Sequence, residues 1–365
     1  MGGEVNARGS PRESAGKGRW RGLEASPIVR QVLLPGFIHR PGVHCGSTAL
    51  ADALAVRGLV ISEAMAFGLG AGLGFFYLDS PVLNPTRLIL GRPWTLEETA
   101  CDVLGAPAAI RTENDPARAW SAVRDALDRG FAPVLSTDLR FLPYWKTSSP
   151  FNGHRVVLAG HDEGRGVALL ADTEREELQE VPLADLERAR ASDGQPLGFT
   201  GRLWMEIDAP PGPVRWREAV ADALRRQARQ MLLPQDGFAG ASGLERFAAE
   251  VPRWHELARD EADRAWCFRF AYQCIERRGT GGGNFRLLYA RFLAEAALHH
   301  PVVTALGLPA RMAEIAAFWT RLANSFKDLS ERPGERPSAA VAAQVLELAG
   351  AERRYHEDVA ARVSG

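Results

Sequence analysis

A glycine-punctuated loop, Gly36-Phe-Ile-His-Arg-Pro-Gly-Val-His-Cys45, runs into Gly-Ser-Thr-Ala-Leu-Ala-Asp-Ala-Leu-Ala-Val-Arg-Gly58. Leu50, Ala53 and Leu54 keep helical spacing and Gly58 can end the helix, so the pattern puts Cys45 at a helix N-terminus. Unpaired backbone N–H groups and the helix dipole lower a thiol pKa there and favour the nucleophilic thiolate. The same N–H groups can hold an oxyanion. A small buried apolar side chain is the competing reading of any free cysteine.

A cysteine nucleophile needs a base, and the chain has eight histidines. His154 opens the strand-like run His154-Arg-Val-Val-Leu-Ala-Gly160 after a loop, which places its ring at a sheet edge. A third group should accept the other imidazole N–H. Asp172 ends the next strand-like run, Gly166-Val-Ala-Leu-Leu-Ala171, and a hairpin turning at Asp162-Glu-Gly-Arg-Gly166 brings it within about one diagonal step of the residues opposite His154. Asp162 fits worse. Eight extended residues at roughly 3.4 Å each separate it from His154 by about 27 Å.

The order Cys45, His154, Asp172, on a helix start, a strand start and the end of the following strand, is that of papain-like enzymes. Three segments carry a more specific likeness: His44-Cys-Gly-Ser-Thr-Ala-Leu50, Ser62-Glu-Ala-Met-Ala-Phe-Gly-Leu-Gly-Ala-Gly-Leu-Gly-Phe-Phe-Tyr77 and Gly153-His-Arg-Val-Val-Leu-Ala-Gly160. Over roughly residues 35 to 205 the chain resembles the butirosin biosynthesis protein H family, and Gly279-Thr-Gly-Gly-Gly-Asn-Phe-Arg-Leu-Leu-Tyr289 looks like part of that family's helical second domain. The resemblance implies a papain-like N-terminal domain and a thioester-accepting cysteine of secondary metabolism and antibiotic biosynthesis. Cys45 would take an acyl or aminoacyl group from the phosphopantetheine arm of an acyl carrier protein. His154 would deprotonate the thiol and then a small-molecule amine acceptor, and Asp172 would hold the imidazole. Papain-like enzymes place a glutamine a few residues before the cysteine to complete the oxyanion hole; this chain has His39 and His44 there, either a donor or a loop-stabilising histidine.

Two alternatives use the same residues. Water in place of an amine makes the chain a cysteine peptidase or amidohydrolase. A third class, a non-catalytic ligand-binding protein of the same fold, is disfavoured because all three presumptive triad members are retained.

Other patterns are weaker. The series Gly68, Gly70, Gly72, Gly74 is no dinucleotide fingerprint, since the required sixth positions are Leu73 and Phe75 and a capped helix precedes it. It reads as a close-packed loop, with Phe75, Phe76 and Tyr77 as core or as a wall of an acyl channel. Gly282 and Gly283, with Arg286 at the following helix start, could form a phosphate site or a plain interhelical linker. Arg215, Arg217, Arg225, Arg226 and Arg229 make a locally basic helix that could dock an acidic carrier, or a solvated face. Cys101 reads as core, Cys267 and Cys274 as one buried face, and His299-His300 as a helix end.

The elements that must position these residues fall into two kinds. The fold class is α+β: short strands alternate with helices up to Asp208-Ala-Pro-Pro-Gly-Pro-Val214, where three prolines break the pattern. Beyond it come helical segments near 216–231, 244–258, 260–277, 285–299, 310–326 and 339–363. We therefore expect a disordered tail over 1–30, a papain-like catalytic domain over 31–208 and an all-helical domain over 209–365. The balance of 44 Lys plus Arg against 45 Asp plus Glu leaves no footprint for nucleic acid. Four scattered cysteines form neither a disulfide scaffold nor a zinc site, and no metal or tightly bound cofactor is expected. The absence of an apolar run near 18 residues or of a secretory signal leads to the expectation of a cytoplasmic protein away from the membrane.

Overall fold

Nine strands are present among the described residues, which are 31–193, 201–233, 237–332 and 334–363 of the computed structural model. The tail expected over 1–30 lies outside them. The strands are β1 (Gln31–Leu33), β2 (Phe76–Asp79), β3 (Arg87–Leu90), β4 (Ala108–Arg111), β5 (Val134–Asp138), β6 (Asn152–Asp162), β7 (Val167–Ala171), β8 (Gln179–Pro182) and β9 (Trp204–Ile207). Seven form one antiparallel sheet in the order β4-β9-β5-β6-β7-β8, with β1 also paired to β6. β2 and β3 form a separate hairpin.

β6 is the spine of the large sheet, and all eleven of its residues are buried. It starts two residues earlier than the sequence pattern places it, because Asn152 already pairs with Asp138. Gly160 is required in it: a Cβ there would lie 2.2 Å from the Val32 carbonyl oxygen, so only glycine lets β1 cross so closely. β6 and β7 form the expected hairpin, with Asp162 opposite Val167 and a register shift between Leu158 and Gly160. Asp162 caps the turn by accepting the Arg165 N–H at 3.0 Å, far from His154.

The helices are α1 (Cys45–Val56), α2 (Glu63–Leu69), α3 (Leu96–Leu104), α4 (Pro116–Asp128), α5 (Leu183–Ala191), α6 (Trp216–Leu232), α7 (Gly240–Glu250), α8 (Trp254–Leu257), α9 (Glu261–Glu276), α10 (Arg286–Ala296), α11 (Pro301–Ala305), α12 (Leu308–Glu331) and α13 (Ala339–Arg362). Asp115 caps α4 by accepting the Arg118 N–H, and Pro116 opens it. α1 lays Ala49, Leu50, Ala53 and Leu54 into the core against β6. No strand lies beyond Ile207 among the described residues, and α12 is packed between α9, α10 and α13.

The two halves share a tight seam. α2 packs on α10, and Gly68 makes room for it: a Cβ at Gly68 would sit 1.9 Å from the Phe292 ring. Burial of a ring of that size is worth about 1.5–3 kcal/mol. Phe76 and Tyr77, expected as core or channel wall beside the glycine loop, lie in the β2–β3 hairpin, where each β2 residue pairs with one 8 to 14 positions on. α10 stops at Ala296, short of His299, and His300 starts α11 by accepting the Val302 N–H, so the two histidines separate helices rather than closing one.

Candidate active site

Cys45 is the first residue of α1, and the fold explains why the helix begins there. His44 is its N-cap: extended backbone, with Nδ1 accepting the Ser47 N–H at 3.2 Å. The loop before it is held from two directions. Glu63, at the start of α2, accepts the N–H groups of Val43 (2.8 Å) and His44 (2.7 Å) and the Thr48 hydroxyl (3.1 Å). Gly42 donates its N–H to the Thr173 carbonyl at 2.8 Å, tying the loop to the residue that follows Asp172. A Cβ at Gly42 would strike both Thr48 and the Glu63 carboxylate.

His154 projects from β6 and Asp172 follows the end of β7, where Ala171 pairs with Val157. His154 Nε2 lies 2.7 Å from Asp172 Oδ1, and both residues are buried. The carboxylate is saturated. Thr173 Oγ1 donates to the same oxygen at 2.9 Å, while Tyr144 OH (2.6 Å) and Trp145 Nε1 (2.8 Å) donate to the other. Trp145 also stands edge to face with the imidazole, ring centroids 5.5 Å apart.

With Nε2 engaged by Asp172, His154 offers its other ring nitrogen to Cys45, and the thiol is hydrogen-bonded to it. Burial alone would raise the thiol pKa, but the His154 hydrogen bond and charge, with Arg92 adding to them, bring it down to about 7. Burial likewise opposes a charge on His154, yet Asp172 and the Cys45 sulfur carry its pKa up to about 10. Asp172 is held at about 2 against its own burial, chiefly by His154. Together these shifts describe a thiolate beside an imidazolium, oriented by a carboxylate. The remaining thiols are different: burial pushes Cys101 to about 12, Cys267 to about 11 and Cys274 to about 12.

His39 and His44 both flank the site and play different parts. His39 Nδ1 donates to Asp52 at 2.5 Å, which ties the loop before Cys45 to α1. His44 is tied differently. Its Nδ1 is the cap acceptor, so its hydrogen sits on Nε2, which is buried and has no acceptor among the described residues. Burial first, then the positive charge of Arg92, His154 and Arg155, keeps that ring neutral.

The anion site anticipated at Gly282, Gly283 and Arg286 does not fit the geometry. The Gly282 N–H is taken by Thr280 Oγ1 and the Gly283 N–H by Glu276 Oε1, both at 3.1 Å. Arg286 is fully buried, with Nε 2.6 Å from Glu352 Oε1 and Nη1 on the carbonyls of Gly74 and Asn284. The basic face of α6 is partly neutralised as well, since Arg226 pairs with Asp102 and Asp222, and Arg225 with Asp222. A surface groove of about 700 Å³ along Ile110, Arg111 and Trp204 is lined by none of the site residues.

Several contributors carry no local sequence signal. Glu63, Tyr144 and Trp145 act on residues 15 to 28 positions away. Glu97 pairs with Arg155 at 3.2 Å and crowds Gly46, the residue after the cysteine. For Glu63, its place directly after the cap residue Ser62 marks a helix start, but nothing in the spacing links that start to Cys45.

The fold and site define an α+β protein in which a helix-borne cysteine meets a histidine and an aspartate from adjacent antiparallel strands. Residues 44–173 match the family described as butirosin biosynthesis protein H, N-terminal, and residues 184–359 match a domain of unknown function, DUF4872. Residues 44–173 are thus similar to the N-terminal region of the butirosin biosynthesis protein H family. A comparison with curated proteins gives no match. Among the described residues no helix is long and apolar enough to cross a membrane.

Proposed function

We propose that the protein is a cysteine-dependent acyl or aminoacyl transferase of antibiotic or related secondary metabolism. One observation carries this: Cys45, at the start of α1, is hydrogen-bonded to a histidine that a buried, fully satisfied carboxylate orients. The match of residues 44–173 to the butirosin biosynthesis protein H N-terminal family supports a biosynthetic role over a digestive one. On this reading residues 31–208 are a papain-like catalytic domain, and residues 209–365 shape what reaches it.

The Cys45 thiolate attacks the carbonyl of a thioester presented on the phosphopantetheine arm of an acyl carrier protein. A C–S bond to Cys45 forms, the original C–S bond breaks, and the departing thiolate takes the proton from the His154 imidazolium. An amine acceptor then attacks the acyl-enzyme, gives its proton to His154 and releases Cys45 as thiolate. The oxyanion in both steps falls to the first-turn N–H groups of α1 and to His44, whose Nε2–H has no internal acceptor among the described residues.

The test is direct. Incubated with acyl-carrier or small thioester donors, the wild-type protein should gain the acyl mass on Cys45 and lose it on addition of an amine, with formation of the amide. Cys45→Ala should do neither. An adduct that water alone discharges, with no amide formed, makes the protein a hydrolase instead. Absence of any adduct removes the covalent mechanism.

A further inference from the structure

The segment Gly281–Phe285 has five consecutive residues in the left-handed region, with φ of 66°, 90°, 57°, 52° and 69°. Glycine adopts that conformation freely and asparagine tolerates it, but for a phenylalanine it is an outlier. A backbone of this kind persists only where its surroundings over-determine it, and such sites gather where function needs them. The surroundings do so here. The Asn284 N–H donates to the Ile275 carbonyl at 2.9 Å, Gly283 lies so close to Ala316 that a Cβ would sit 2.8 Å from its carbonyl oxygen, and Arg286 is clamped to Glu352 and to Gly74 across the seam.

The outcome is the placement of one ring. Phe285, 4% exposed, stacks on Phe67 of α2 at 5.7 Å, and the His44 ring stands edge to face with both, 5.5 Å from each. A Cβ at Gly281 would meet the Val43 side chain of the same loop at 2.9 Å, and Asn284 fills the space beside Gly91. His44 is the N-cap of the helix that begins with Cys45. We propose that Phe285, delivered from the helical half, is a positioning residue for the catalytic half: it fixes His44, and through that cap the first turn of α1 and its thiol.

The inference rests on the reading of Cys45 as the reactive thiol. Removing the ring frees His44 to rotate and admits water to it, which loosens the Ser47 cap and the alignment of Cys45 with His154. The groups facing His44 and Cys45 otherwise stay in place: Glu63 on the His44 N–H, Glu97 beside Gly46, and the cations Arg92, His154 and Arg155. The low thiol pKa therefore depends on a residue of the other half.

The measurement is the pH profile of Cys45 alkylation by iodoacetamide, followed by peptide mass spectrometry on the full chain. Phe285→Leu and Phe285→Met, two ring-free variants, should move the midpoint up by about one pH unit, slowing the reaction roughly five- to tenfold at pH 6.5. Phe285→Tyr, which keeps the ring, should stay at the wild-type midpoint. Phe292→Leu, which weakens the same seam at Gly68 without touching His44, should lower the melting temperature and leave the midpoint where it is. The proposal is overturned by an unmoved midpoint in the ring-free variants, or by an equal shift in Phe292→Leu. A wild-type midpoint in the ordinary cysteine range would overturn the reading of Cys45 itself, and this proposal with it.

Discussion

Cys45 differs from the other three cysteines by its neighbours more than by its burial, since all four are buried. Its thiol has an imidazole and a guanidinium close by, whereas Cys101 has Glu97 and Glu98, whose charges add to burial in raising its pKa. Alkylation should therefore be selective. The Cys45 rate should rise as pH passes about 7 and stay level while the imidazolium persists, up to about 10, with the other thiols silent in that window. A midpoint near about 8.5, the value of an unperturbed cysteine, would show that no ion pair forms. The three residues of the site were legible from sequence because each carries a local mark: a glycine loop before a helix for Cys45, a strand start for His154, a strand end for Asp172. Their supports were not. Tyr144 and Trp145 reach Asp172 from 28 and 27 residues away, and only tertiary packing brings them there.

At the scale of elements, α1 is held at its start by another helix's first residue. Glu63 satisfies two loop N–H groups and a hydroxyl that would otherwise be orphaned. Glu63→Ala should cost about 2–4 kcal/mol, as buried donors lose a charged acceptor. Hydrogen exchange should accelerate at Val43 and His44 in this variant while the amides of β6 stay protected. Equal acceleration throughout would mean that Glu63 supports the fold generally and not this loop. The α+β division, the β6–β7 hairpin and most helices follow from periodicity and turn residues, which act over a few positions. β9 escapes such reading: Trp204–Ile207 is four residues long, and its place between β4 and β5 depends on partners 69 to 99 positions earlier. The anion site expected at Arg286 fails for the same reason, because Glu352, which neutralises it, lies 66 residues away.

Across the whole molecule, Arg286 and Glu352 form a fully buried pair, and Arg286 also bonds to Gly74 in the other half. Trp319 Nε1 donates to the same Glu352 oxygen at 2.7 Å. Glu352→Gln leaves a buried guanidinium without its counter-charge and should destabilise the protein by about 3–5 kcal/mol. The pair also sets an acid limit. Burial raises the Glu352 pKa, but Arg286 and His356 outweigh it and hold it at about 2, below the ordinary 4.5. A depressed carboxylate contributes stability above its unfolded pKa and loses it as pH falls toward the folded one. Melting temperatures should therefore drop between about pH 4.5 and 2, and Glu352→Gln should flatten that drop. Asp172, lowered from 3.8 to about 2, contributes to the same window, so some of the slope should survive the substitution.

The seam between α2 and α10 bears on how such chains can diverge. The Phe292 ring occupies the volume that a side chain at Gly68 would need, and Asn284 does the same at Gly91. The two regions that match separate family models are thus interlocked by absences of atoms, the N-terminal region carrying the space for side chains of the C-terminal one. Recombination that joins an N-terminal region from one relative to a C-terminal region from another is viable only when both sides of these contacts travel together. Grafting the helical half onto a new N-terminal region thus requires glycines at the positions of 68 and 91 in that region.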